Sequence, residues 1–544
     1  MHSCLSVDEI FRNIVDQIPV TDGQCTLASL AQTCRAFKDP SLARLWSQLS
    51  TILPLLKLFP EDAWEIADDH VPVLVSGSDS ESLSESDQSF NSTGRTFKFV
   101  RDLFPERDWS RFNAYAPLVH HLTFALHLFE SCNGVKIPRL VLDNLSLHKP
   151  ESPLLPRLRS LAWDDEVEFA APVFQLFLSP FVTHLSYTNR RNSARPPNGS
   201  RPSSILSTLA TSCPDLVSFK ARNLPQDVLV TVLLPRTVTS ESAARFASLK
   251  FLSISGNDIP QAVLMDLSNH AQLEYLVCTI GETSIPHSTT STSFASLRKL
   301  SMSIRRLTSE VSNYVRCLRL PQLAELRLHL PSRRVDLAWL HHLCQSISTY
   351  TTLSILCIGT YGGQTNSPVF ASDIHPLLDI RGLRELQILI QALRLDDDAI
   401  TSISTSFPAL RRLELIPRQY RTRGSWQTRC TLASLKSLSR NCRHLKELAI
   451  LLDTKDASSV SLNDNDADRI RNTELTQIWV GNSDPPDPKA TAVVLADLFP
   501  NLMAIEPRGR LNNGTNRPDR WRVVERLLLR SHAGVSSQDG DGGS

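Results

Sequence analysis

An apolar hexamer of the form L-x-x-L-x-L recurs along this chain at a narrow interval, and that recurrence restricts the fold more than any other feature. With other apolar residues allowed, it reads LKFLSI from Leu249, LEYLVC from Leu273, LRKLSM from Leu297 and LAELRL from Leu323. It continues as LSILCI from Leu353, LRELQI from Leu383, LRRLEL from Leu410, LKELAI from Leu445 and LTQIWV from Leu475. Successive starts lie 24, 24, 26, 30, 30, 27, 35 and 30 residues apart. Weaker members begin at Val119, Leu158, Val182, Leu216 and Leu502. The second and third apolar positions are two apart, so in a strand both face one side while the residues between face the other. A helix-like segment precedes the strand, as in DDDAITSISTSFPAL (396–410) and TLASLKSLSRNCRHL (431–445). Neither element buries its apolar face alone, and stacking the repeats solves the problem for both. The expectation is an α/β solenoid over residues 116–510, with a curved parallel sheet inside and helices outside.

The first fifty residues follow a different period. In SVDEIFRNIVDQIP, Ser6 and Glu9 have capping-box spacing, Ile10, Ile14 and Ile18 repeat every four residues, and Pro19 ends the helix. Leu27, Leu30, Ala31 and Cys34 then fall at i, i+3, i+4 and i+7. Leu42, Leu45, Trp46 and Leu49 repeat that spacing, with Asp39 and Pro40 placed as N-cap and first helical residue. Residues 1–50 are therefore expected to form a three-helix module, and 51–115 a helical linker. Within that linker, 76–95 is acidic, serine-rich and poor in aliphatics, the composition of a disordered loop. A basic, breaker-rich loop is expected at 188–204, a capping helix at 511–530 and a disordered tail at 531–544.

Composition removes several function classes. With 57 basic and 56 acidic residues the formal charge is +1, so nothing global points to nucleic acid or an anionic membrane. No apolar run approaches the ~18 residues of a membrane span. Eleven cysteines are scattered without one C-x-x-C, and several sit at alternating apolar positions. That usage predicts neither a disulfide framework nor a zinc site, and suits the reducing cytoplasm or nucleus.

The repeat resembles the leucine-rich-repeat family across roughly residues 116–510. Its conserved-type Asn, three places after the last strand apolar position, is matched at Asn257 in LKFLSISGN, so an Asn ladder is not expected elsewhere. The stretch LASLAQTCRAFKDPSLARLW resembles an F-box, with Glu9 and Ile10 matching its opening and Ser6-Val7 standing where that family has Leu-Pro. The whole layout is similar to fungal F-box proteins with leucine-rich repeats. That resemblance implies a receptor subunit of a Skp-cullin-F-box type ubiquitin ligase. The F-box would dock a Skp-type adaptor, and through it a cullin, while the repeats hold a protein substrate. In such a module Ile10, Leu27, Leu30, Ala31, Cys34, Phe37 and Trp46 share the work of bundle core and adaptor contact. No cofactor, metal, nucleic acid or membrane is implied.

For substrate, the strand residues facing away from the helices are the candidates. One row holds Phe251, Tyr275, Lys299, Glu325, Glu385, Arg412 and Glu447, and the next holds Arg327, Gln387, Glu414 and Trp479. Arg327, Gln387, Arg412, Glu414 and Trp479 are the named candidates, with the arginine-rich loop 417–430 beside them. Catalysis finds no footing: G-x-S-x-G, H-E-x-x-H and phosphate-loop motifs are missing from the sequence. The paired histidines 120–121 and 341–342 are neighbours that a strand or helix aims apart. The acids of DDDA suit a helix start. Two other readings stay open: a ligase-independent scaffold whose helical module only caps the array, and a hydrolase whose site is assembled from loops.

Overall fold

The computed structural model describes residues 8–20, 22–68, 95–104, 107–125, 135–148, 153–165, 174–189, 209–234, 246–281, 284–285, 292–330, 339–360, 368–390, 393–416, 429–454, 471–480, 485–506 and 519–535. Two compact units divide the chain, Met1–Asn257 and Asp258–Ser544. Most of the acidic stretch (76–94), the basic loop (190–204), the arginine-rich loop (417–428) and the last nine residues lie outside the described residues.

The first unit opens with helices α1 (Asp8–Gln17), α2 (Gln24–Thr33) and α3 (Arg35–Ser47). Their core is Phe11, Val15, Leu27 and Phe37, with Ile18, Leu30, Cys34 and Leu45 packed against it. Phe11 and Phe37 stack with ring centroids 4.0 Å apart. The turn after α1 needs a glycine, because a Cβ at Gly23 would fall 2.5 Å from the Pro19 carbonyl oxygen. Arg44 on α3 donates through Nε and Nη2 to the Ile18 carbonyl, at 3.3 and 3.2 Å, and so closes the C-terminal end of α1. Two expectations change. Ile10 and Ile14 are not the inward stripe of α1; the stripe one residue on, Phe11 and Val15, takes that place because it carries the aromatic ring that meets Phe37. Helix α3 starts at Arg35, and Pro40 sits inside it. The Ala36 carbonyl that loses its donor belongs to an exposed residue, where water can replace the bond.

Helix α3 runs straight into a two-residue strand, Gln48–Leu49, which pairs in parallel with His121–Ala125. Strands Ser160–Asp165, His184–Asn189, Ser218–Arg222 and Phe251–Ser255 then add one by one, all parallel. Residues 50–120 are thus an excursion between two neighbouring strands, and the helical module is joined directly to the edge of the sheet. That excursion, expected to be helical, also carries strands Trp64–Asp68 and Arg95–Phe99, paired antiparallel. Within it the aromatic residues Phe59, Phe97, Trp109 and Phe112 are buried. Asp108, buried beside them, takes Arg101 at 2.6 Å and the Phe104 backbone N–H at 2.9 Å.

An asparagine ladder is present in this unit after all. Asn223 Nδ2 donates to the Asn189 carbonyl and Asn257 Nδ2 to the Leu224 carbonyl, each at 2.8 Å. Asn223 adopts the left-handed φ of 58°, which asparagine tolerates better than other side chains. Gly256 (φ 93°) makes room for it, since a Cβ there would lie 1.9 Å from Asn223 Oδ1. Asn223 stands one place earlier than the family position, which is why counting from the strand passed it over.

The second unit has nine parallel strands among the described residues, most of them separated by a turn and a helix. Its parallel strands run Tyr275–Ile280, Lys299–Ile304, Glu325–Leu330, Ile355–Thr360, Glu385–Leu389, Arg412–Glu414, Glu447–Ala449, Gln477–Trp479 and Ala504–Glu506. The helices include Ser309–Cys317, Leu340–Ile347, Asp397–Ser406, Leu432–Asn441 and Pro488–Leu498, and C-terminal Asp519–Val535 packs Trp521, Val524 and Leu528 inward. This is the expected leucine-rich-repeat type of solenoid. Polar side chains knit its neighbouring helices. Ser346 Oγ donates to the Ser312 carbonyl at 2.8 Å, and Ser439 Oγ to the Leu498 carbonyl at 2.9 Å.

The acids of DDDA serve the fold. Asp396 caps its own helix through the Ala399 N–H at 3.0 Å. Asp397 reaches the next helix, accepting from the Thr431 N–H and hydroxyl at 2.7 Å each and from the Ser434 hydroxyl. Asn472 is fully buried: its Nδ2 donates to the carbonyls of Cys442 (2.7 Å) and Leu445 (3.2 Å). Its Oδ1 accepts from the N–H groups of Glu474 and Leu475, both at 2.9 Å. Asn472→Ala strands four backbone groups and should cost on the order of 3 kcal/mol, read as a lower denaturant midpoint by circular dichroism. Asn472→Asp should do no better, because a carboxylate accepts but cannot donate. Asp397→Ala should cost about 1–2 kcal/mol by the same measurement, as a lost helix cap does.

Candidate functional site

Two surfaces carry the candidate residues, one in each unit. On the helical module the structure separates core from surface. Leu27 and Phe37 are interior, 0% and 5% exposed, and belong to the core that holds the bundle together. Leu30 and Cys34 are partly buried against that core, and Ala31 is half-buried. Trp46 packs against Tyr115, with centroids 4.8 Å apart and the ring planes tilted by 44°, and fastens α3 to the excursion. Ile10 is exposed at 41%, and Ile14, the next member of its four-residue repeat, at 44%. One helical turn separates them, so α1 presents two large apolar side chains to solvent while the bundle's own core is already filled.

The second surface is the sheet face turned away from the helices in the second unit. Register puts Tyr275, Lys299, Glu325, Ile355, Glu385, Arg412, Glu447 and Gln477 on one row. Ser301, Arg327, Cys357, Gln387, Glu414, Ala449 and Trp479 follow two residues on. The rows are therefore those expected, but their burial is not. Gln387 and Glu414 are buried, 4% and 0% exposed, and do not reach the open surface of this face. Alternation says which face a residue is on and not whether that face is open.

The charges on this face are mostly spent on one another. Glu325 takes Lys299 at 3.1 Å and Arg327 at 2.5 Å. Arg412 holds Glu414 through Nε at 2.9 Å and through Nη2, and reaches Glu447 at 3.2 Å. Trp479 Nε1 and Gln477 Nε2 both donate to Glu506, at 2.8 and 2.6 Å. Arg327 and Arg412 remain partly exposed, 43% and 27% for the side chain, and Trp479 is half-buried. Arg412 and Glu414 are brought together; Arg327 and Trp479 stand rungs apart and share no contact.

Among the described residues neither surface gathers a metal-ligand cluster. Burial pushes the thiols of Cys278 and Cys442 up to about 12, and that of Cys213 to about 11, away from the thiolate form. Among the described residues no three His, Cys, Asp or Glu side chains gather where a metal ion would sit. No helix among them is long and apolar enough to cross a membrane.

No protein-family model matches the chain. No curated protein matches it either. Among solved structures, the crystal structure of the Rad7 and Elc1 complex in yeast is similar over 72% of this chain and 89% of that one, at 13% sequence identity and a TM-score of 0.34. The likeness is loose, and the fold stands on the strand register described above.

Glu325 supplies a pH signature for the charged face. Burial raises its pKa, but the hydrogen bonds and charges of Arg327 and Lys299 outweigh burial, and the carboxyl ends below its usual 4.5. A folded value below the unfolded one adds stability that is present above pH 4.5 and is lost as pH falls through the folded value. The difference in melting temperature between the protein and Glu325→Gln should accordingly be constant near neutrality and shrink below pH 4.5. A constant difference down to acid unfolding would contradict this account.

Proposed function

We propose that this chain is a non-catalytic receptor of a Skp-cullin-F-box type ubiquitin ligase, acting in the cytoplasm or nucleus. The helical module docks a Skp-type adaptor, through it a cullin, and the repeats hold a protein substrate. One observation carries the reading: a bundle whose core is complete still exposes Ile10 and Ile14 one turn apart on α1. Covering two such side chains is worth about 1.5–3 kcal/mol each at full burial, before the cost of association. Leu30, Ala31 and Cys34 are the further candidates for that contact, and Leu27 and Phe37 act from beneath it.

A second reading has its own observation. Because α3 continues into Gln48–Leu49 on the edge of the sheet, the module also covers the end of the array. On that reading it is a cap, and the protein is a scaffold independent of any ligase.

Co-purification of the full chain with a Skp-type adaptor separates the two. The receptor reading expects a stable complex that Ile10→Asp with Ile14→Asp abolishes, while circular dichroism and melting temperature stay as in the parent. Leu27→Ala should instead lower stability by about 2–5 kcal/mol, as core truncations do. A wild-type chain that binds no adaptor, or a double variant that binds as well, leaves the cap.

A further inference from the structure

The strand entrances of the second unit form a row that the charged face does not include. Each of these residues directly precedes a strand, and the carbonyls of Arg384 and Arg411 accept from the next repeat. Arg384 O takes the Arg411 N–H at 2.7 Å, and Arg411 O takes the Lys446 N–H at 2.8 Å. Arg384, Arg411 and Lys446 therefore stand on three adjacent rungs, about 4.8 Å apart. All three are exposed. Lys446 shares Glu474 with His444, at 3.5 and 2.7 Å. Arg384 and Arg411 have no carboxylate partner among the described residues. The acids of the same rungs, Glu385 and Glu447, lie one residue on and on the opposite face, in register with Arg412. Arg381 and Arg443, exposed in the preceding turns, add to the positive edge, and Asp379 is the acid in those turns.

A cavity of about 350 Å³ opens on the adjoining rung, lined among others by Ser293, Arg319, Pro321, Thr351 and Thr352. Gly382 ties the two features together, its Cβ position lying 3.8 Å from the Thr351 carbonyl oxygen and 3.4 Å from that of Leu353. Arg319 is exposed and has no acidic partner among the described residues. Helix ends explain part of this charge, since Arg440 and Arg443 flank the C-terminus of Leu432–Asn441. They do not explain Arg384 and Arg411, which lie beyond the turns.

We propose that this edge binds an acidic peptide segment of a partner protein, its anionic side chains paired with Arg384 and Arg411 and one residue seated in the Arg319 cavity. The size of the site favours a peptide over nucleic acid. Three rungs span roughly 10 Å, the reach of about three extended residues. The row continues as Ser354 on one side and Thr476 and Met503 on the other, without an aromatic side chain on which a base could stack. Guanidinium groups pair carboxylate and phosphate alike, so glutamate and phosphoserine are two sources of one chemistry. The site stands whether or not the helical module docks an adaptor.

Fluorescence anisotropy on the full chain tests it, with a short glutamate-rich peptide, a phosphoserine peptide of equal length and a single-stranded oligonucleotide as probes. At least one peptide should bind, more weakly as salt rises, and Arg384→Glu with Arg411→Glu should weaken it by about tenfold or more. Lys57→Glu with Lys489→Glu, an equal charge change at exposed positions elsewhere, should leave affinity within about twofold. The tighter peptide identifies the source of the anion. Equal binding by the Arg384/Arg411 variant overturns the proposal, as does an oligonucleotide that binds more tightly than either peptide and is released by the same substitutions.

Discussion

In most repeats one carbonyl, that of the residue just before the strand, accepts two consecutive N–H groups from the next repeat. Arg159 O takes Thr183 and His184 in the first unit; Arg298, Ala324, Ser354, Arg384 and Arg411 do the same in the second. Where it occurs, this shared acceptor fixes the register of a strand on its predecessor. Everything else depends on that register: which side chains stack into rows, which leucines meet beneath the sheet and where the turns close. Because the bond is made by backbone, the side chain at this position is released from structural duty. The residues found there in the second unit are Glu, Arg, Ala, Ser, Arg, Arg, Lys, Thr and Met, the variety expected of an unconstrained site. The apolar positions inside the sheet show no such variety.

The same logic explains how differently the two sheet surfaces treat charge. On the face turned from the helices, side chains from adjacent strands stand opposite one another, so a carboxylate such as Glu325 meets two cations within hydrogen-bonding distance. Removing Glu414 from water is tolerable because Arg412 meets it directly. At the strand entrances the exposed side chains of Arg384 and Arg411 sit side by side with no carboxylate partner among the described residues. A protein gains little stability from such a row, which leaves recognition as its physical use.

Much of the architecture was legible in the chain itself. The spacing of Leu297, Leu323, Leu353 and Leu383 predicts the parallel strands, and the caps at Asp396 and Thr431 begin helices where the pattern puts them. What escaped was decided by choices between near-equal alternatives. Helix α1 has two apolar stripes, and only the ring contact of Phe11 with Phe37 selects between them. Asn223 ladders from a place one residue off because its backbone is left-handed there. Trp64–Asp68 and Arg95–Phe99 are paired across a long separation, which local periodicity does not register. Gln387 and Glu414 have the right alternation, yet whether a face is open depends on the rest of the fold.

The continuity of α3 with Gln48–Leu49 has a mechanical consequence. No joint separates the helical module from the sheet it borders: α3 ends as a hydrogen-bonded strand, and Trp46 braces it against Tyr115. A partner that grips α1 is therefore attached to the first repeats as by a bracket rather than by a cord. Its orientation toward them is set by the fold, and pulling on the module loads the strand pairing in shear, where several backbone bonds must fail together.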